Sequence, residues 1–196
     1  MLEDLMLPEI TSQRLNVDRR DILKMGLTGL LGAIVPLVPA RNAWAKSNYD
    51  SWKISFRHSH TGESFSGVYR VGDRYLPEAF ERINYVLRDF RTEEVFPMDP
   101  HTIDILALIH KKMGLTEGYE TLSGYRSPKT NAMLRHTGTG VAKNSFHMYG
   151  QAIDFRVPGR NTSKLRNTAK TLKAGGVGYY PNSNFVHVDT GSVRSW

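Results

Sequence analysis

The sequence predicts an α+β domain, a small antiparallel sheet with flanking helices, on three observations. Short runs that alternate apolar and polar residues stand near both ends of the chain beyond residue 46, as half-buried strands do. Between them, two longer segments carry apolar residues at helical spacing, each opened by a proline. A length of 196 residues with 40% hydrophobic residues suffices for one packed core, and no repeat or low-complexity run follows Lys46.

Residues 1–45 read as a separate targeting segment. Arg19-Arg20 precede a glycine-containing apolar run from Met25 to Ala40, and Ala43-Trp44-Ala45 sets small residues at alternate positions, as a cleavage site requires. The expectation is a twin-arginine-type signal peptide over residues 1–45, a mature domain over 46–196, and export to the periplasm. The apolar run is shorter than the roughly 20 residues of a spanning helix and contains Pro36 and Pro39, so no stable membrane span is expected after processing. The net charge is +7, and the leader holds five basic and five acidic residues, so the whole excess belongs to the mature domain. Outside the cytoplasm an anionic wall polymer suits that charge better than nucleic acid, for which no motif is present. The chain has no cysteine, so disulfides, thiolate metal sites and cysteine nucleophiles are excluded. Any metal must take histidine and carboxylate ligands.

In chain order, Trp52 to Arg57 and Ser64 to Arg70 flank Ser59-His60-Thr61-Gly62-Glu63 and predict a β-hairpin. His58 and His60 at that turn read as solvated. Pro77 opens a helix through Phe90, with apolar residues at 79, 80, 83, 86, 87 and 90. Asp99-Pro100, a capping acid before a first-turn proline, opens a second helix through Ile103, Leu106 and Ile109 to Gly114, on which His110 reads as structural. Glu120 to Ser123 is a short strand entering Gly124-Tyr125-Arg126-Ser127, and a helix starts near Pro128 with Met133 and Leu134 inward. Arg126 can fork onto a carboxylate or pair with a neighbouring acid. His136 to Asn144 is polar and glycine-rich and predicts a flexible loop. Ala152 to Val157 predicts a strand, and Thr162-Ser163 caps a basic helix through Leu172 that Gly175-Gly176 ends. Gly178 to Tyr180 and Phe185 to Asp189 are the last strands, joined by Pro181-Asn182-Ser183-Asn184.

Chemistry gathers around residues 145–154. Asp154 lies in an apolar strand, where an unpaired carboxylate is costly, so it requires a cation, hydrogen-bond donors or a metal ion. His147 stands seven positions earlier, and His187 and Asp189 share one face of the last strand at period two. Two imidazoles and a carboxylate plus water are the ligands of a catalytic zinc site. The competing readings are a histidine satisfied within the core and an aspartate paired with arginine or lysine.

The run Ser145-x-His147-x-x-Gly150-x-Ala152-x-Asp154, preceded by Ser123-Gly124-Tyr125-Arg126-Ser127 and followed by Val186-His187-Val188-Asp189, resembles the zinc D-Ala-D-Ala carboxypeptidase family of peptidoglycan peptidases, and within it a murein endopeptidase group. The resemblance covers residues 46–196. It implies a zinc peptidase fold of the lysostaphin, carboxypeptidase and hedgehog type, with Zn2+ held by His147, Asp154 and His187. It further implies hydrolysis of peptide cross-links in the cell wall, with peptidoglycan stem peptides as the partner, Arg126 engaging a substrate carboxylate or carbonyl, and Ser145, beside the first ligand, as a second substrate-binding residue. Many relatives carry Asp or Glu three residues before the last ligand, where this chain has Asn184, whose amide cannot accept the proton of water at neutral pH. Asp189 is the substitute within the sequence, as catalytic base or as the group that orients His187. A D,D-carboxypeptidase and a non-catalytic wall-binding module with a metal centre are the alternatives. The sequence leaves the oligomeric state open.

Overall fold

The computed structural model of the chain describes residues 50–138 and 140–196, so the expected signal peptide and its cleavage site lie outside the described residues. Eight strands form one sheet: β1 (Ser51–His58), β2 (Ser64–Val71), β3 (Arg74–Tyr75), β4 (Tyr119–Ser123), β5 (Ala152–Arg156), β6 (Gly176–Tyr180), β7 (Phe185–Asp189) and β8 (Arg194–Ser195). Among the described residues four α-helices accompany them: α1 (Pro77–Val86), α2 (Pro100–Met113), α3 (Pro128–Thr137) and α4 (Thr162–Leu172). The α+β class is as expected. The sheet is larger than expected and mixed, in the order β3-β2-β1-β4-β5-β7-β6-β8. β1 lies parallel to β4 and β6 parallel to β8, while the remaining neighbours are antiparallel. The long crossover through β2, β3, α1 and α2 is what allows β4 to return parallel to β1.

Alternation along the central strands divides the sheet into an apolar face and a polar face. Ile153, Phe155, Val186 and Val188 join the core with Ile103, Leu106 and Ile109 of α2 and with Leu165 and Ala169 of α4. Asp154, His187 and Asp189, the intervening residues, therefore face the other way. Asp99 caps α2 by accepting from the His101 N–H, and Gly114 ends it in the left-handed conformation at φ 58°. Among the described residues, no helix is long and apolar enough to cross a membrane.

Local departures from the expectations have tertiary causes. α1 stops at Val86 rather than Phe90, because Arg88 turns to Glu63 and Glu93 while Asp89 bonds Ser127 and the Arg91 N–H. Phe90 keeps helical spacing in the sequence but stacks on His60, with centroids 4.2 Å apart. α3 turns Thr130 and Asn131 inward, whereas Met133 is 44% exposed, so its expected apolar face is corrected to a polar one. Asn131 donates from Nδ2 to the carbonyls of Ala142 and Lys143, which ties the following loop to the helix. α4 is capped by Asn161 rather than by Thr162-Ser163. His58, read as solvated, is instead fully buried, and its Nδ1 accepts from the N–H groups of His60 and Thr61.

Candidate metal centre

Three elements deliver the three expected ligands. Residues Phe146–Tyr149 form a 3-10 turn that carries His147, and Gly150 closes it at φ 65°. That glycine is required twice over: its conformation is left-handed, and a Cβ would collide with the Pro97 carbonyl. β5 carries Asp154 and β7 carries His187, and the register pairs these two residues directly. Asp154 Oδ1 lies 2.8 Å from His187 Nδ1, Asp154 Oδ2 lies 3.3 Å from His147 Nε2, and the two imidazole nitrogens are 3.3 Å apart.

Hydrogen bonds on the far sides of the rings determine which nitrogens face inward as lone pairs. His147 Nδ1 is 2.7 Å from the Gly124 carbonyl, which can only accept, so Nδ1 carries the proton and Nε2 presents a lone pair. His187 Nε2 is 3.0 Å from Asp189 Oδ2, so in the neutral ring Nδ1 presents its lone pair. Three acceptors thus converge, all within 4.8 Å of one another and all buried. Such a set requires a positive charge at its centre. Burial lowers the pKa of His187, but its hydrogen bonds to Asp154 and Asp189 outweigh burial and raise it. Burial likewise works to raise Asp154, yet His147 and His187 hold it far below the usual carboxylate range. The separations of 2.8 to 3.3 Å are close to the edge of roughly 3.4 Å expected for tetrahedral ligands about 2.1 Å from zinc. The donor set therefore fits the metal that the sequence implies.

Three ligands leave one side free, and it opens on a cleft of about 470 Å³ lined by Arg126, Ser145, Tyr180, Arg194 and Trp196 among others. Arg126 lies there with Nη2 3.7 Å from Asp154 Oδ2 and 3.5 Å from Ser123 Oγ. The turn that presents it is clamped from behind. The Tyr125 N–H donates to the Leu87 carbonyl, the Arg126 N–H to the His147 carbonyl, and the Ser127 N–H and Oγ–H to Asp89 Oδ2. Ser145 is buried at the start of the 3-10 turn.

Asp189 lies behind His187, outside the cleft lining. It is 0% exposed and accepts from five donors: His187 Nε2, the N–H groups of Gly176 and Gly191, and two nitrogens of Arg194. Burial works to raise its pKa, but His187 and Arg194 hold it well below the usual range. Asn184 is exposed in the β6–β7 turn at φ 52°, a conformation that asparagine tolerates, and accepts from Thr162 Oγ1. Sequence reasoning missed Asp89, Arg194 and Trp196. Only Arg194 had a visible signal, as a cation five residues from Asp189.

Residues 46–196 match the family described as peptidoglycan L,D-endopeptidase MepK. The chain is 45% identical over 144 residues to the probable peptidoglycan L,D-endopeptidase MepK of Haemophilus influenzae, covering 73% of this chain and 77% of that protein. It is 38% identical over 184 residues to the peptidoglycan L,D-endopeptidase MepK of Escherichia coli K12, covering 93% of this chain and 99% of that protein, and equally so to the MepK of Shigella flexneri. No solved structure matches the chain. A His-Asp-His acceptor cluster at the floor of a cleft, on a chain matched from residue 46 to its last residue, places this protein in the MepK family of hydrolytic peptidases.

Proposed function

We propose that the chain is a zinc-dependent peptidoglycan endopeptidase that hydrolyses L,D peptide bonds in the cross-links of the cell wall. The observation that carries the reading is the convergence of three acceptors on the floor of an open cleft with Arg126 on its wall. When bound, zinc supplies a positive charge beside the scissile carbonyl and the acidity that turns water into a nucleophile near neutral pH. The protein residues do the rest. His147 and His187 are held in the metal-binding tautomer by the Gly124 carbonyl and by Asp189. Arg126 offers its unused N–H groups to a carbonyl or carboxylate of the stem peptide. Ser145 lines the cleft, and its carbonyl accepts the Met148 N–H of the 3-10 turn. For Asp189, orientation of His187 is the role its five donors support, because neither oxygen keeps a lone pair toward the cleft.

Export to the periplasm under a twin-arginine-type signal completes the proposal. It is supported by the start of the family match at residue 46, directly after Ala43-Trp44-Ala45. N-terminal sequencing of exported protein should read from Lys46.

The deciding experiment is digestion of purified peptidoglycan by zinc-loaded protein, with product masses and metal content measured for the parent and for His147→Ala. Loss of dimeric muropeptides in the parent, with cleavage and stoichiometric zinc lost together in the variant, is the expected result. Release of single D-alanine would make the protein a carboxypeptidase, and unchanged muropeptides a wall-binding module.

A further inference from the structure

Tyr180 and Trp196 have no role in the chemistry above, yet both line the cleft. Gly178 is the register partner of His187, and Tyr180, two residues further along β6, stands on the same face. A Cβ on Gly178 would meet the Trp196 indole at 2.8 Å, so the missing side chain is the space the indole occupies. The ring centroid of Trp196 is 5.4 Å from that of His187. Directly after β8, two backbone bonds to β6 hold Trp196 there, its N–H donating to the Val177 carbonyl and its own carbonyl oxygen accepting from the Tyr179 N–H.

From this position the indole Nε1–H donates to the Tyr180 hydroxyl oxygen at 2.9 Å, and Phe185 stacks on the phenol at 4.5 Å. An indole N–H can only donate, so Tyr180 is the acceptor in that bond and its own proton is left to point elsewhere. Among the described residues no acceptor takes it. In the same cleft, Arg126 is half-buried with only two long contacts, at 3.5 and 3.7 Å, for its five N–H groups. Both side chains line the one cleft. Two under-used donors facing one cleft beside a metal centre call for an oxygen acceptor that gains negative charge.

We propose that Tyr180 is a substrate-touching donor that, together with Arg126, grips the scissile carbonyl oxygen as it becomes anionic, and that Trp196 is the positioning residue that aims the phenol. The proposal rests on the peptidase reading. It is tested by measuring kcat and KM on a cross-linked muropeptide, and Ki for a phosphinate analogue of the scissile peptide, in the zinc-loaded parent, Tyr180→Phe and Trp196→Phe. Metal content and Tm are followed in each. Tyr180→Phe should lower kcat/KM roughly 100-fold, mostly in kcat, and weaken the phosphinate by a similar factor, with zinc content and Tm unchanged. Trp196→Phe, which keeps an aromatic ring but loses the N–H, should lower kcat/KM by about tenfold. Tyr180→Phe within twofold of the parent in both kcat/KM and Ki overturns the proposal. A parent that binds the phosphinate but cleaves nothing removes the peptidase reading alone, and the Ki ratio still decides for or against Tyr180. A parent that neither cleaves nor binds overturns both.

Discussion

At Asp189, five donors surround two oxygens, and the single contact toward the site is to the back of His187. A carboxylate in that setting can set the tautomer of a ligand but has no lone pair to offer a reacting water. Replacing Asp189 with Asn should therefore lower zinc affinity by about 10- to 100-fold, with kcat at saturating zinc reduced far less. Zinc titration with steady-state kinetics at each metal concentration checks this; full metal binding with kcat abolished would restore Asp189 as the base. Asn184, where the resemblance led to the expectation of an acid, is a turn residue here, its left-handed backbone explaining the asparagine and its exposure removing it from the cleft lining.

At the scale of elements, the site depends on close backbone contacts that only glycine permits. Gly150 ends the 3-10 turn under the Pro97 carbonyl, and its own carbonyl accepts the Asp99 N–H, so the turn with His147 is locked to the start of α2. Gly124 packs on Leu87 while its carbonyl holds His147. Gly150→Ala should cost more than about 1 kcal/mol from the left-handed backbone alone, with the collision adding to it, and should displace His147. Urea denaturation together with zinc stoichiometry measures both effects; an unchanged midpoint with full zinc would refute the account. The turn after α1, whose Asp89 the sequence placed inside the expected helix, is the brace for Arg126, because Asp89 reaches across to Ser127. Its role was hidden because the partners are 38 residues apart.

Across the whole molecule, stability should depend on pH through a group remote from the metal centre. His58 is buried against Phe90, and burial, followed by the charge of His60, lowers its pKa from 6.5 to about 4, with Glu63 opposing and Arg88 assisting. The unfolded chain takes up this proton near pH 6.5 and the folded chain only near pH 4, so stability falls as pH drops through that window, by at most about 3 kcal/mol. Urea midpoints of zinc-saturated protein between pH 7 and 4 should show a steeper decline for the parent than for His58→Gln. Parallel declines would assign the effect to other groups.

The sequence by itself determined the α+β class, the starts of α1 and α2 and the caps of α2, the hairpin, and the three residues that the fold brings together as candidate ligands. Period-two and period-3.6 patterns, capping chemistry and the His147, Asp154 and His187 spacing are local properties of the chain. Only the tertiary structure decided the parallel pairings, the polar inward face of α3, the burial of His58, the position of Asp189 behind its histidine, and the Trp196–Tyr180 contact. Each of these is set by what another part of the chain brings alongside, which strand register and packing create and which no local pattern encodes.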